Sequence, residues 1–171
     1  LNIPGPSPLL QRALEDAVNA GVAVVASSGN LDDSRLAWPA ASPSVISVGA
    51  TDIDERLWKD PADKQGSNYG PGLDIVAPGR DIVSIGPDGK KTKGQGTSCA
   101  AALVSGTCAL MLAVNPDLRP EDLRRILRET ADKIGPTKDY KKGRSELYGY
   151  GRLNTYKAVL RASQTISTGP N

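Results

Sequence analysis

The segment Gly94-Gln95-Gly96-Thr97-Ser98 runs straight into a stretch of small and apolar residues, Cys99-Ala100-Ala101-Ala102-Leu103-Val104. A serine on the first turn of an apolar helix has free backbone N–H groups and the positive end of the helix dipole beside it. Glycines just before it let another chain approach closely. That chemistry suits a nucleophile whose developing oxyanion is stabilised by the helix N-terminus. The same residue types serve as helix caps, which is the commoner use of a Thr or Ser here. Gly-x-Gly-Thr-Ser also invites a phosphate-loop reading, but the Lys-Ser/Thr ending of that motif is absent. Little nucleotide affinity is expected.

A second candidate is Ala26-Ser27-Ser28-Gly29-Asn30, which follows the valine-rich run Val22-Ala23-Val24-Val25. A side-chain amide at a strand end can donate to a developing negative oxygen, while Gly-Asn is also ordinary turn chemistry. Trp38-Pro39-Ala40-Ala41-Ser42-Pro43 reads as a pocket wall or as a stiff loop. The 171 residues include no histidine, so this chain supplies neither a Ser-His nor a Cys-His pair, nor most kinds of zinc catalysis. Lys90, Lys91 and Lys93 precede Ser98, but lysines in a Gly/Lys-rich loop are expected to be solvated and protonated at neutral pH. Two cysteines exclude a disulfide-rich scaffold and a four-Cys zinc site. Cys99 and Cys108, nine apart on one helix, cannot bridge.

The elements that must position these residues follow from periodicity. Leu9, Leu10, Ala13, Leu14, Ala17 and Val18 mark an amphipathic helix that Gly21 ends. Val22 to Ala26 lacks polar alternation and predicts a strand buried on both faces, as in a parallel sheet. Further strands are expected over Val45–Ala50, Leu73–Ala77 and Asp81–Ile85, each bounded by Pro or Gly. A helix from Ser98 to Val114 is apolar almost all round, which predicts a place in the middle of a core. Another runs from Pro120 to about Ile134 with a Glu121–Arg125 pair. Tyr148-Gly149-Tyr150-Gly151 is a turn before a last helix, Asn154 to Ala162, and residues 163–171 read as a polar tail. The alternation argues for an α/β fold with a mostly parallel sheet flanked by helices. In such sheets, sites gather at the carboxyl ends of strands.

Composition bounds the function. Lys+Arg 21 against Asp+Glu 19 is too balanced to argue for nucleic acid or an anionic membrane. No apolar run reaches the length expected of a spanning helix, and no charged-then-apolar leader opens the chain. With 39% hydrophobic residues the length suits one domain with a real core.

Four segments considered together are more specific than any one of them. Ala26 to Asn30, then Pro39 to Ala50, then Ser67-Asn68-Tyr69-Gly70-Pro71-Gly72 to Gly79, then Gly96-Thr97-Ser98-Cys99-Ala100 resemble the carboxyl-terminal half of subtilisin-like serine proteases. Gly149 to Asn154 resembles the segment that closes that domain. The resemblance implies a subtilisin-like fold over residues 1–162 and peptide-bond cleavage through an acyl-enzyme. It implies Ser98 as the nucleophile and Asn30 as the oxyanion-hole amide, acting with the N–H of Ser98. Ala26, Ser27, Ser28 and Gly29 would form one edge of a peptide channel, with Thr97 beside it. Ala37 and Ala40 would flank the stretch that lines the primary specificity pocket, at two positions where the family often has glycine; their methyl groups imply a shallower pocket.

Departures from the family pattern shape the rest. The family's chain order is Asp, His, Ser, and the motifs bearing the first two do not occur here. An amino-terminal half bearing them is therefore an expected partner, along with a polypeptide substrate. Ala101-Ala102-Leu103-Val104-Ser105-Gly106 replaces the familiar Ser-Pro-His-Val-Ala-Gly. A protease-like peptide-binding module without catalysis is the alternative reading. No cofactor is expected in the chain itself; calcium is expected at most in the complete protein, with Asp32, Asp33, Asp52 and Asp54 as loose candidates. Secretion is the family habit.

Overall fold

The computed structural model describes residues 7–165. Helix α1, Pro8–Asn19, starts on Ser7, whose hydroxyl accepts from the N–H of Leu10, with Pro8 pre-set for the first turn. Ala20 caps it, and Gly21 takes a positive φ to turn the chain into the sheet. The strands are β1, Val25–Ser27; β2, Ile46–Thr51; β3, Lys59–Asp60; β4, Gln65–Gly66; β5, Ile75–Pro78; β6, Ile82–Ile85; and β7, Lys91–Gly94. Helix α2, Thr97–Val114, is followed by α3, Pro120–Thr130, a single 3-10 turn at Thr137–Asp139, and α4, Thr155–Ser163. The residues of the expected tail beyond position 165 lie outside the described residues.

The three principal strands form a parallel sheet in the order β1-β2-β5, with Val25 opposite Ile46 and Val48 opposite Ile75. Alternation sorts its faces. Ile46, Val48 and Ala50 of β2, with Ile75 and Ala77 of β5, face α2 through Ala100, Val104, Cys108 and Met111. Leu123, Ile126 and Leu127 of α3, and Ala158 and Ala162 of α4, complete this core. Val76 points the other way, into a smaller cluster with Leu73, Ile134 and Tyr148.

Several expectations are corrected. β1 is half-buried and lies at the sheet edge, not buried on both faces, because no strand pairs with its outer side among the described residues. Asp81–Ile85 does not join the parallel sheet; β6 pairs antiparallel with β7, a charged strand that carries no apolar signal. α3 stops at Thr130, four residues short of Ile134. Arg125 bonds to Asp122 and Glu129 rather than to Glu121.

The largest correction concerns α2. Ala100, Val104, Thr107, Cys108 and Met111 are buried, while Leu103, Leu110 and Val114 on the other side are exposed. The helix is uncharged over 18 residues, long and apolar enough by length and composition to cross a membrane, contrary to the expectation of no such run. In this fold it packs one side against the sheet and leaves an apolar side uncovered.

A buried carboxylate that the sequence did not mark fastens α3 to the sheet. Asp74 accepts from the N–H and hydroxyl of Ser47, from Arg124 Nε at 3.0 Å and from Arg128 Nε at 2.8 Å. Buried charges persist where they are paired and hydrogen-bonded in this way.

Candidate active site

β1 ends at Ser27, and the chain then loops outward through Gly29 and Asn30. β7 ends at Gly94, and Gly96 caps α2 with φ 114, a conformation that L side chains rarely adopt. A Cβ on Gly96 would come within 3.0 Å of Asn30 Nδ2, so this glycine also permits the close approach of the two loops. They meet at a cavity of about 520 Å³.

Asn30 and Ser98 both line that cavity. The carboxamide of Asn30 is fixed on one side: its Oδ1 accepts from the Thr97 N–H at 3.0 Å and from the Thr97 hydroxyl at 2.7 Å. Thr97, itself buried, accepts in turn from the Gly29 N–H at 3.3 Å. With Oδ1 engaged, the Nδ2 hydrogens are the free end of the group. On α2, Cys99 and Ala100 donate back to the Gly96 carbonyl, and Thr97 donates to Asn30. The Ser98 N–H has no acceptor among the described residues, as the second position of a helix allows. Two donor groups and one exposed hydroxyl therefore border the same space, at the positive end of an 18-residue helix. With so few amides left unengaged, this loop is a poor phosphate cradle.

Ala26, Ser27 and Gly29 form one side of the cavity, and Ala37 and Thr97 contribute elsewhere on its wall, with Trp38 and Pro39. Ser28 and Ala40 do not line it. Ser28 is fully buried and donates its hydroxyl to the Asn68 carbonyl at 2.9 Å, while Ala40 is packed inside at 2% exposure. Both support the wall from behind. Asn68 is a site residue that the sequence alone does not mark; its carboxamide accepts from the N–H groups of Leu31 and Asp33 and donates to the Arg35 carbonyl. Its place in Ser67-Asn68-Tyr69-Gly70 was the available signal.

None of the described residues around the cavity carries a titratable side chain. Lys90 and Lys93 lie instead on the β6–β7 hairpin, near Asp88 and Asp81. The four aspartates considered for a cation do not converge: Asp32 pairs with Lys59, Asp33 with Arg35, and Asp52 holds the turn N–H groups of Asp54 and Arg56. The Arg35 guanidinium holds the carboxyl of Asp33 below the usual carboxylate range. Among the described residues no group of three His, Cys, Asp or Glu could hold a metal ion. Both cysteines are free thiols.

A parallel sheet backed by a long helix whose N-terminus meets a strand-end loop is the subtilisin-like α/β architecture. The solved structure of the prenylagaramide maturation protease PagA superposes with a TM-score of 0.76 at 28% identity, over 95% of this chain and 58% of that one. The chain belongs to the subtilase family, whose family model matches residues 2–151. It is 37% identical over 159 residues to Subtilisin BL of Lederbergia lenta, a match covering 93% of this chain and 54% of that protein. It is 39% identical over 160 residues to the cell wall-associated protease of Bacillus subtilis (strain 168), covering 82% of this chain and 17% of that one. The chain thus spans about half the length of the first relative and a smaller part of the second.

Proposed function

We propose that this chain is the nucleophile- and oxyanion-bearing half of a serine endopeptidase, completed by an Asp- and His-bearing segment. The observation that carries the reading is the Thr97-locked carboxamide of Asn30 facing the same cavity as Ser98. An extended peptide would lie against Ala26–Gly29 where β1 runs out into the loop, leaving the strand's free edge to the other segment, with its carbonyl oxygen between Asn30 Nδ2 and the Ser98 N–H. Ser98 Oγ attacks the carbonyl carbon while its proton passes to the histidine of the other segment. That proton then goes to the leaving amine as the C–N bond breaks, and water hydrolyses the resulting acyl-enzyme. Because this chain has no histidine, a serine without a base, alone it is expected to be inactive.

Three features support a completing segment: the missing base, the unpaired edge of β1, and the apolar side of α2 formed by Leu103, Leu110 and Val114. Strand pairing and helix coverage by one polypeptide would satisfy both surfaces. A location outside the cytoplasm is part of the proposal, in keeping with the wall-associated relative.

The test is to combine the chain with the segment of Subtilisin BL that precedes its matching region, then treat the complex with a fluorophosphonate. Mass spectrometry should find the label on Ser98, and Asn30→Ala should slow labelling. A folded complex that takes no label refutes the catalytic reading. If it still binds peptide in the cavity, the chain is the protease-like binding module of the alternative reading.

A further inference from the structure

We infer that Asn68 is the positioning residue for Asn30, holding the peptide groups on both sides of it so that its amide stays aimed into the cavity. The inference rests on the reading of Asn30 as an oxyanion donor. Gly29, immediately before Asn30, has its carbonyl bonded to the Asn68 N–H at 2.8 Å. Leu31, immediately after, donates its N–H to Asn68 Oδ1 at 2.8 Å. The same oxygen accepts from the Asp33 N–H at 3.3 Å, and Asn68 Nδ2 donates to the Arg35 carbonyl at 2.9 Å. The Asn68 carbonyl is in turn held by the Ser28 hydroxyl at 2.9 Å. One residue, 3% exposed, therefore bonds to Ser28, Gly29, Leu31, Asp33 and Arg35 along a segment with no strand or helix of its own, alongside the backbone bonds of Gly66 to Asn30 and Asp32.

The chemistry demands a carboxamide. The position must accept two N–H bonds on one atom and donate one on another, in a single planar group. Aspartate has no donor, and serine is too short to span both. Asn68 also packs directly beneath Gly29, where an added Cβ would approach Nδ2 to 2.6 Å. Asn30 is thus anchored at three places: the neighbouring Gly29 carbonyl and Leu31 N–H through Asn68, its own carbonyl through the Gly66 N–H at 3.2 Å, and its carboxamide through Thr97. Losing the Asn68 side chain leaves the part-buried N–H groups of Leu31 and Asp33 without their acceptor and loosens the peptide plane after Asn30, which helps set the direction of its side chain.

A binding experiment on the 171-residue chain tests this. The probes are acetyl-tetraalanine with a free terminal carboxylate, which presents an oxyanion, and the same peptide as its terminal amide. NMR titration of the wild-type chain should show the carboxylate form binding about tenfold tighter or better, as charge-assisted bonds to two donors imply. Asn30→Ala should abolish that preference and leave the weaker binding of the amide. Asn68→Ala should remove most of the preference with the amide peptide unaffected, and should cost nothing further in the Asn30→Ala background. Asn68→Leu fills the same volume without the three side-chain bonds and should behave identically, so the test stands even where alanine leaves a cavity that unfolds the chain. Equal weakening of both peptides, additivity with Asn30→Ala, or a full wild-type preference in either variant overturns the assignment. Absence of any carboxylate preference in the wild type instead refutes the oxyanion reading itself, and the role of Asn68 falls with it.

Discussion

Replacing Asp74 by asparagine tests the account of how α3 is held to the sheet. The carboxylate side chain is 2% exposed, between guanidinium groups that are 23% and 32% exposed, Arg124 and Arg128. Asparagine keeps the shape, and one oxygen can still accept from Ser47. Its NH2 group, however, faces N–H donors where the carboxylate faced them with an acceptor. Removing one partner of a buried pair costs about 3–5 kcal/mol. Both arginines are partly exposed and can turn toward water, so the lower end applies, about 3 kcal/mol. In a domain of this size that lowers the melting temperature by roughly 6–12 °C. Arg124→Ala or Arg128→Ala leaves Asp74 with the other guanidinium and Ser47, and should cost about 1–2 kcal/mol each. Guanidinium chloride unfolding of the four proteins gives these values directly, and a urea series with added salt should leave the ranking unchanged, since buried pairs are weakly screened. A loss below about 1 kcal/mol for Asp74→Asn, or a single arginine truncation costing as much, refutes the reasoning.

Other consequences are shorter to state. Burial pushes the Cys108 thiol up to about 11 from its ordinary 9.0, so the unfolded chain ionises there before the folded one does. The stability owed to this residue is complete below pH 9 and is lost as pH rises to about 11, a change of about 2–3 kcal/mol that Cys108→Ala should flatten in denaturation curves. Gly70→Ala places a Cβ 2.1 Å from the Ser34 carbonyl oxygen at φ 122; urea unfolding should show a loss above about 2 kcal/mol. Leu110 is 52% exposed on the uncovered side of α2, so the isolated chain should self-associate in sedimentation velocity. Leu110→Lys should shift it toward monomer without lowering the melting temperature.

The elements that the sequence predicted well are those whose signal is local. α1 shows its apolar stripe and its terminating glycine, and β2 is a compact apolar run bounded by turns. α2 was legible as a helix but not as a half-covered one, because composition records how much apolar surface exists and not what covers it. β7 reads Lys-Thr-Lys-Gly and forms a strand only because β6 pairs with it, a pairing with no hydrophobic pattern to betray it. In the cavity wall, the fully buried Ser28 stands apart from its neighbours Ser27 and Gly29, a distinction the bare run Ala-Ser-Ser-Gly could not draw. The roles of Asp74 and Asn68 depend on partners dozens of residues away, contacts that only the folded chain creates.

The neutrality of the cavity wall has a consequence for any assembled form. With no ionisable group among the described residues at that surface, the cradle is indifferent to acidity across the physiological range. If a second polypeptide completes the site as proposed, the pH profile of the assembly would be set by that polypeptide. Exchanging that polypeptide for another should re-tune the profile while Asn30 and Ser98 remain untouched.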